Sequence, residues 1–391
     1  MLTELFHASY QLLQPLLPQP CFHLAVESIL AGKTPARVLV DRREQPRSAM
    51  LWAGHHVYLA GDLENPDWQA SLNRLFLDPP VRHASDTRRP TETGEPMLEL
   101  FHLTAPDDSP AAELPTPAID AAFRRILAGL DPILDRREYY AGVPAEIAAQ
   151  AEPAPLPPGL HFVPVDRRLL ANERLEGLDE LKGEMMSERP SVKNFLARSF
   201  GVACVDETAS ALAGWCLSEY NLPGRCEVGI ETVEAYQRHG LGTAMGRALA
   251  AEAHTRAIHT VGWHCFANNT ASAATARKIG LKLAAVYPIY YFWYQPSVNL
   301  AAHGIVALHG GQYAEALDWC TRSLAYADAP HLADWGAGCA CAGLGDASAA
   351  FNHLANAIAK GFTYSTLFES SPHLASLRED PRWAALIESL R

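Results

Sequence analysis

Short apolar runs, broken by glycine and proline, organise the first part of the chain. Apolar side chains at helical spacing predict a short helix over 22–30. Three brief runs follow at 37–40, 49–53 and 57–60. They are too short for helices, and Gln45-Pro46 and Gly54 mark turns between them, so they predict strands. Asn65-Pro66 predicts a helix to 75: the asparagine side chain caps the first turn, and proline there gives up only an N–H that has no helical partner. A further strand is expected over 97–103 and a helix over 120–130. No phosphate loop or catalytic constellation stands out in this part.

From 160 the pattern sharpens. It predicts a strand over 160–165, a helical stretch over 169–186 and a second over 191–199. Strands at 201–205 and 212–217 face each other across a turn near Thr208-Ala209, and another strand spans 226–233. A strong helix over 240–257, a strand over 260–266, a helix over 270–279 and a strand region over 281–294 complete the segment. Four prolines within 153–158 predict an extended linker before it. After it, Gly304, Gly311, Ala316, Leu317 and Leu324 recur 34 residues later as Gly338, Gly345, Ala350, Phe351 and Ile358. Such a period signals stacked helical hairpins, with small residues at close helix contacts and glycines at the turns. Asp380-Pro381 predicts a closing helix.

Composition narrows the function classes. At 391 residues, with 48% hydrophobic and 19% charged, the chain reads as globular and of several domains. No apolar run reaches the ~18 residues of a membrane span, and the first residues lack the basic start of a signal peptide, so a soluble cytoplasmic protein is expected. Net charge is −12, but residues 160–299 balance 14 Lys/Arg against 14 Asp/Glu. Nucleic acid is a poor partner for this surface, whereas a cationic amine is tolerated. The eight cysteines form no CxxC pair and read as reduced, buried thiols. The 16 histidines include no H-E-x-x-H, so no metal is expected.

Chemistry concentrates at two junctions. Gln237-Arg-His-Gly240-Leu-Gly242-Thr-Ala joins a predicted strand to the strong helix. Glycines allow a sharp turn, and first-turn N–H groups at the positive end of a helix dipole suit a pyrophosphate. About thirty residues on, Asn269-Thr-Ala-Ser272-Ala-Ala-Thr-Ala276-Arg-Lys-Ile-Gly280-Leu281 caps a helix, keeps it close to the sheet and ends it in a left-handed turn. These two motifs resemble the Q/R-x-x-G-x-G/A loop and the N-x-x-S-x-x-x-A-x-x-x-G-[FL] signature of the GNAT superfamily of N-acetyltransferases. Cys226-Glu-Val-Gly-Ile-Glu-Thr232 and Trp263-His-Cys265 resemble a bacterial branch whose first half is itself a degenerate GNAT-like domain. The last segment resembles a short tetratricopeptide array, with Tyr313 at its usual aromatic position and Ala347 in place of the second.

The resemblance implies an α/β (α+β) fold with a mixed central sheet flanked by helices, followed by an all-α helical-repeat segment. The expected parts are a degenerate domain over 1–150, a linker over 151–159, an acetyltransferase domain over 160–295 and repeats over 300–391. It implies direct acetyl transfer from acetyl-CoA, as co-substrate, to a primary amine on a small molecule or protein. Thr232 and Val233 would pair with the pantetheine arm. The N–H groups of Arg238, His239, Gly240, Leu241, Gly242 and Thr243 would hold the pyrophosphate, Asn269 would face the cofactor near its thiol end, and Gln237 and Ser272 complete the cofactor-binding set. Glu231 and Glu227, four apart on one strand, share a face and are the candidate bases. The family's usual tyrosine is replaced by Ala276, so Tyr287 is the candidate acid; Tyr290, Tyr291 and Tyr294 accompany it. His264 and Cys265 point to opposite faces and read as packing. That missing tyrosine sustains two alternatives: a weak or inactive acyl-CoA-binding regulator, or a partner-binding protein acting, or self-associating, through its repeats.

Overall fold

The computed structural model describes residues 2–18, 21–77, 97–103, 114–150 and 156–390, so residues 151–155 of the proline-rich linker lie outside it. The described residues among 1–89 and 98–291 form one compact unit, and Met97 with those among 292–391 a second. No helix among the described residues is long and apolar enough to cross a membrane.

The first unit runs β1 (Thr3–Leu5), α1 (Leu24–Leu30), β2 (Arg37–Val40), β3 (Ser48–Ala53), β4 (His56–Gly61), α2 (Pro66–Leu77), β5 (Met97–His102), α3 (Pro117–Ile126), β6 (Ile133–Gly142) and α4 (Pro144–Gln150). It continues with β7 (Leu160–Pro164), α5 (Arg167–Leu170), α6 (Leu178–Met185), α7 (Val192–Arg198), β8 (Gly201–Asp206), β9 (Ala211–Leu222) and β10 (Arg225–Thr232). Then come α8 (Leu241–Thr255), β11 (Thr260–Phe266), α9 (Thr270–Ile279) and β12 (Lys282–Trp293). All twelve strands join in one sheet of order β1-β2-β3-β4-β5-β12-β6-β11-β10-β9-β8-β7.

The topology states one theme twice. Strands β2, β3 and β4 form an antiparallel meander, α2 follows, and β5 lies parallel to β4. Strands β8, β9 and β10 repeat the meander, α8 follows, and β11 lies parallel to β10. Strand β6 then crosses over: it pairs antiparallel with β11 on one edge and with β12 on the other, and β12 adjoins β5. Sequence patterning gave no strand at β6, because Asp135-Arg-Arg-Glu138 fills its middle.

One face of the second half packs Cys226, Val228, Trp263 and Cys265 against Leu241, Met245 and Leu249 of α8 and Ala276 and Ile279 of α9. Helix α9 starts at Asn269, whose Oδ1 accepts from Ser272 N at 3.0 Å, and ends at Gly280 in the left-handed region (φ 117°). The opposite face packs Trp215 and Leu217 against Leu181, Met185 and Phe195. The single helix expected over 169–186 is instead α5 and α6, interrupted at 171–177. Glu176 spends its backbone on the sheet, donating to Ser210 O at 3.0 Å and accepting from Leu212 N at 2.9 Å, and Gly177 (φ 87°) turns the chain back into α6.

The second unit holds α10 (Pro296–His309), α11 (Tyr313–Leu324), α12 (His331–Gly343), α13 (Ala347–Ala359), α14 (Ser365–Ser370) and α15 (Arg382–Glu388). The residues related by the 34-residue period occupy matching places. A Cβ on Gly304 would strike the Cys320 thiol, and one on Gly338 would lie 2.8 Å from Leu354 Cγ. Gly311 (φ 71°) and Gly345 (φ 85°) make the two helix-to-helix turns.

Two glycines outside the site test this packing in opposite directions. A Cβ on Gly214 would sit 2.5 Å from the Glu231 carbonyl oxygen and 3.1 Å from Thr232 Cα, both rigid backbone. Gly214→Ala is expected to destabilise the first unit by about 1–3 kcal/mol. Gly183, inside α6 with nothing within 4 Å, is expected to gain about 0.5–1 kcal/mol as alanine. Urea midpoints of the two variants check both signs.

Candidate active site

The β10–β11 ladder covers three residue pairs, Arg225↔Thr260, Cys226↔Val261 and Glu227↔Gly262, and then stops. Strand β10 continues along β9 to Thr232↔Gly214, and β11 continues along β6 to Phe266↔Arg137. The two parallel strands therefore part beyond Glu227. Opposite this point β9 bulges: Glu227 pairs with Tyr220 and Val228 with Ser218, so Glu219 is the extra residue.

Beyond the gap, the chain turns into α8. The Gln237 side-chain amide donates to Thr232 O at 3.0 Å and closes the turn, while Arg238 (φ 64°) and Gly240 (φ 78°) take left-handed backbone. Gly240 is exposed, and a Cβ there would meet nothing within 4 Å. Helix α8 has 15 residues and no side-chain cap at Gly240, so its first-turn N–H groups face outward at the positive end of the dipole. The matching junction in the first half is closed: Asn65 Oδ1 accepts from Asp67 N at 3.0 Å and Trp68 N at 3.2 Å. His239 is exposed and Thr243 half-buried, whereas the Leu241 side chain is core and leaves only backbone to the loop. Val233 N donates to Ala213 O at 3.1 Å. Asn269 caps α9, and Ser272 Oγ accepts from the Trp263 indole at 3.0 Å.

The other face of the sheet carries a polar row across β4, β5, β12, β6, β11, β10 and β9. Glu227, only 5% exposed, accepts from Leu24 N at 2.7 Å and meets His264 Nε2 at 3.3 Å. His264 Nδ1 lies 2.7 Å from the Tyr287 hydroxyl. The two ring nitrogens of His264 thus bridge the Glu227 carboxylate and the Tyr287 hydroxyl. Burial pushes the Tyr287 phenol up. Tyr139 stacks on His264 at 4.6 Å, and His23 lies parallel to it at 5.5 Å. Burial, then the neighbouring His264, hold His23 well below its usual range, so it is neutral.

A second chain lies alongside. His56 Nε2 meets Glu99 Oε2 at 3.1 Å, and Arg137 Nη1 donates to the same oxygen at 2.8 Å. His56 Nδ1 faces Glu188 Oε2 at 3.7 Å, and Glu188 accepts from the Tyr220 hydroxyl. Burial opposes ionisation of Glu99, but Arg137 and His56 outweigh it and hold the carboxyl below the usual carboxylate range. Burial likewise opposes charge on His56, and Glu188 with Glu99 outweighs it, so that imidazole is raised. His55 is lowered to about 4 by burial and by His56.

Of the sequence candidates, the structure brings Glu227 and Tyr287 together and leaves Glu231 apart, half-buried farther along β10 on the same face. Tyr290 bonds Asp120 at 2.9 Å instead. His264, read from sequence as packing, is the link between the first two. Alternation carried the missed signal: Trp263 and Cys265 are core, so His264 shares the face of Glu227. Glu219 was missed because a bulge has no sequence period. Absence of H-E-x-x-H also concealed that His55, His56 and Glu188 bring their ligand atoms within 4.8 Å of one another. All eight cysteines are free and buried.

Residues 153–290 match the family described as GNAT acetyltransferase, so the central segment is a GNAT domain. No curated protein matches the chain in sequence. Solved structures similar to it include a GCN5-related N-acetyltransferase-like protein from Streptococcus suis, 16% identical with a TM-score of 0.49, over 73% of this chain and 98% of that one. A tandem GNAT protein from the clavulanic acid biosynthesis pathway is 13% identical with a TM-score of 0.47, over 76% and 99% of the two chains. A GCN5-related N-acetyltransferase from Sphaerobacter thermophilus is 12% identical with a TM-score of 0.47, over 76% and 96%.

The two chains of the row give a titration test. Because the folded value of His56 lies above the unfolded one, near about 6.5, its stabilisation is complete below that pH and lost as pH rises through the folded value. NMR titration should place the His56 midpoint above that of an unfolded histidine and lower it in Glu188→Gln. Glu99→Gln, which leaves the Arg137 guanidinium without its carboxylate, should cost about 3–5 kcal/mol in denaturant unfolding.

Proposed function

We propose that the chain is an acyl-CoA-dependent N-acetyltransferase that moves an acetyl group directly from acetyl-CoA to a primary amine. The parting of β10 and β11 beyond Glu227↔Gly262, on a strand that leads into an uncapped helix start, carries this reading. The β10 edge from Val228 to Thr232, which no β11 residue pairs, takes the pantetheine arm as an added strand would. The N–H groups of residues 238–243 take the pyrophosphate. Gln237 holds that loop closed, while Asn269 and Ser272 fix α9 and Trp263 as the adjoining wall.

The amine nitrogen attacks the thioester carbonyl carbon, and a backbone N–H of β10 stabilises the oxyanion. The C–N bond forms, the tetrahedral intermediate collapses, and the C–S bond breaks. One proton leaves the nitrogen and one reaches the thiolate. Glu227 is assigned the base role and Tyr287 the acid role. His264 positions both and returns the proton between them. Glu231 is the second carboxylate on that face.

Calorimetric titration with acetyl-CoA tests the donor site. Micromolar binding is expected, lost in Gly240→Glu, whose carboxylate repels the pyrophosphate, and largely kept in Gly240→Ala, which carries the same backbone strain. No binding by the native protein would sink the reading. His264→Asn is expected to lower kcat by about 10²-fold or more with little change in KM for acetyl-CoA; full activity with an unchanged pH profile would remove His264 from the mechanism.

A further inference from the structure

His55, His56 and Glu188 each bring a nitrogen or carboxylate oxygen within 4.8 Å of the other two. The acyl-transfer assignments use none of these side chains. Successive residues of a strand face opposite sides, so two neighbouring histidines inside β4 could not converge. His55, however, precedes the strand. It is second in the two-residue turn Gly54-His55, which joins β3 to β4 between the paired residues Ala53 and His56. Gly54 supplies the left-handed backbone (φ 57°) that so tight a turn needs. The two imidazoles then lie side by side, with ring centroids 3.9 Å apart. Pairing of β4 with β5 holds the turn in place, since Glu99 N donates to His55 O at 2.8 Å. Glu188 arrives from the second half of the unit, between α6 and α7, and accepts from the Tyr220 hydroxyl of β9.

The two nitrogens of His56 are in different states. Nε2 meets Glu99 Oε2 at 3.1 Å, and Arg137 Nη1 donates to that same oxygen at 2.8 Å. A histidine whose second nitrogen rests on a fixed carboxylate is the usual arrangement behind a metal ion. Nδ1, in contrast, is buried and has no hydrogen-bond partner. A buried polar atom left so is costly and calls for a ligand. It faces Glu188 Oε2 at 3.7 Å, with both side chains only 12% exposed. That separation is too long for a hydrogen bond. An ion held ~2.0–2.1 Å from each atom bridges it at a wide angle. Glu188 also lines a surface cleft of about 70 Å³ with Gly54, Arg189 and Tyr220, which gives an ion a way in from solvent.

We propose that His55, His56 through Nδ1, and Glu188 bind a divalent transition-metal ion, and that zinc is the ion this donor set favours. Calcium and magnesium take oxygen ligands, whereas two imidazoles with one carboxylate suit zinc and its neighbours. Three protein ligands leave a further position for water or a ligand oxygen. The ion ties the β3–β4 turn of the first half to the α6–α7 segment of the second, so its binding stabilises the folded unit. It does not depend on acyl transfer.

The test is calorimetric titration of the untagged whole chain, stripped with a chelator, with Zn²⁺ alone. About one ion per chain should bind at micromolar concentration or below. His55→Ala, His56→Ala and Glu188→Gln should each weaken binding about tenfold or more. His161→Ala, which removes an exposed histidine outside the group, should not. Zn²⁺ should raise the urea midpoint of the native protein but not that of Glu188→Gln, which keeps the size of the side chain and an acceptor for Tyr220. Acetyl-CoA binding should be the same in all four variants. No Zn²⁺ binding, or binding unchanged in Glu188→Gln and His55→Ala that still fold by circular dichroism, would overturn the site and leave the acyl-transfer reading standing. Zn²⁺ binding lost in these variants of a protein that does not bind acetyl-CoA would do the reverse.

Discussion

The first unit depends on one strand being hydrogen-bonded on both edges by residues far from it in sequence. Without β6 between β11 and β12, the two meanders would be two sheets, each with an exposed edge. Strand β6 also brings Arg137 to the polar row, where it is the fixed cation beside Glu99. The constraint that closes the sheet thus also sets the charge balance of the interior. Tyr139 and Tyr140, adjacent on the same strand, serve opposite faces: one stacks on His264, and the other packs with the core beneath α8 and α9.

The two halves use the same topology to different ends. Both place a helix after the third strand of a meander. In the first half an asparagine side chain and a proline satisfy the helix start from within. In the second, two left-handed residues, one of them the glycine at the helix start, leave it open. A strand order alone would suggest two equal sites; the chemistry of one junction removes that symmetry.

Much of this was legible because local signals and global fold agreed. The loop from Gln237 to Thr243, the Asn269 cap and the Gly280 turn are written in backbone requirements that few residues meet, and their elements lie where spacing placed them. The shared face of Glu227 and Glu231 followed from strand period alone, and it survived because the bulge falls on β9. What was not legible is what depends on tertiary pairing. A strand that buries Arg137 among carboxylates looks like a polar loop. A histidine between a tryptophan and a cysteine looks like packing until the strand beside it is known. The break between α5 and α6 was hidden for the same reason, since the backbone of Glu176 is claimed by β9.

The crossing of β6 also bears on how the chain acquires its structure. Tyr139 pairs with His264, so closing that ladder joins residues more than a hundred positions apart. Such contacts demand loop closure before they return any stabilisation, and sheets built on them form slowly. On the ribosome, the first meander emerges well before β11 and β12 exist. Strand β6, with its charged middle, must wait with both edges unpaired until the second half has been made. The charges that obscure it as a strand are the same ones that keep a waiting edge from pairing with the wrong partner.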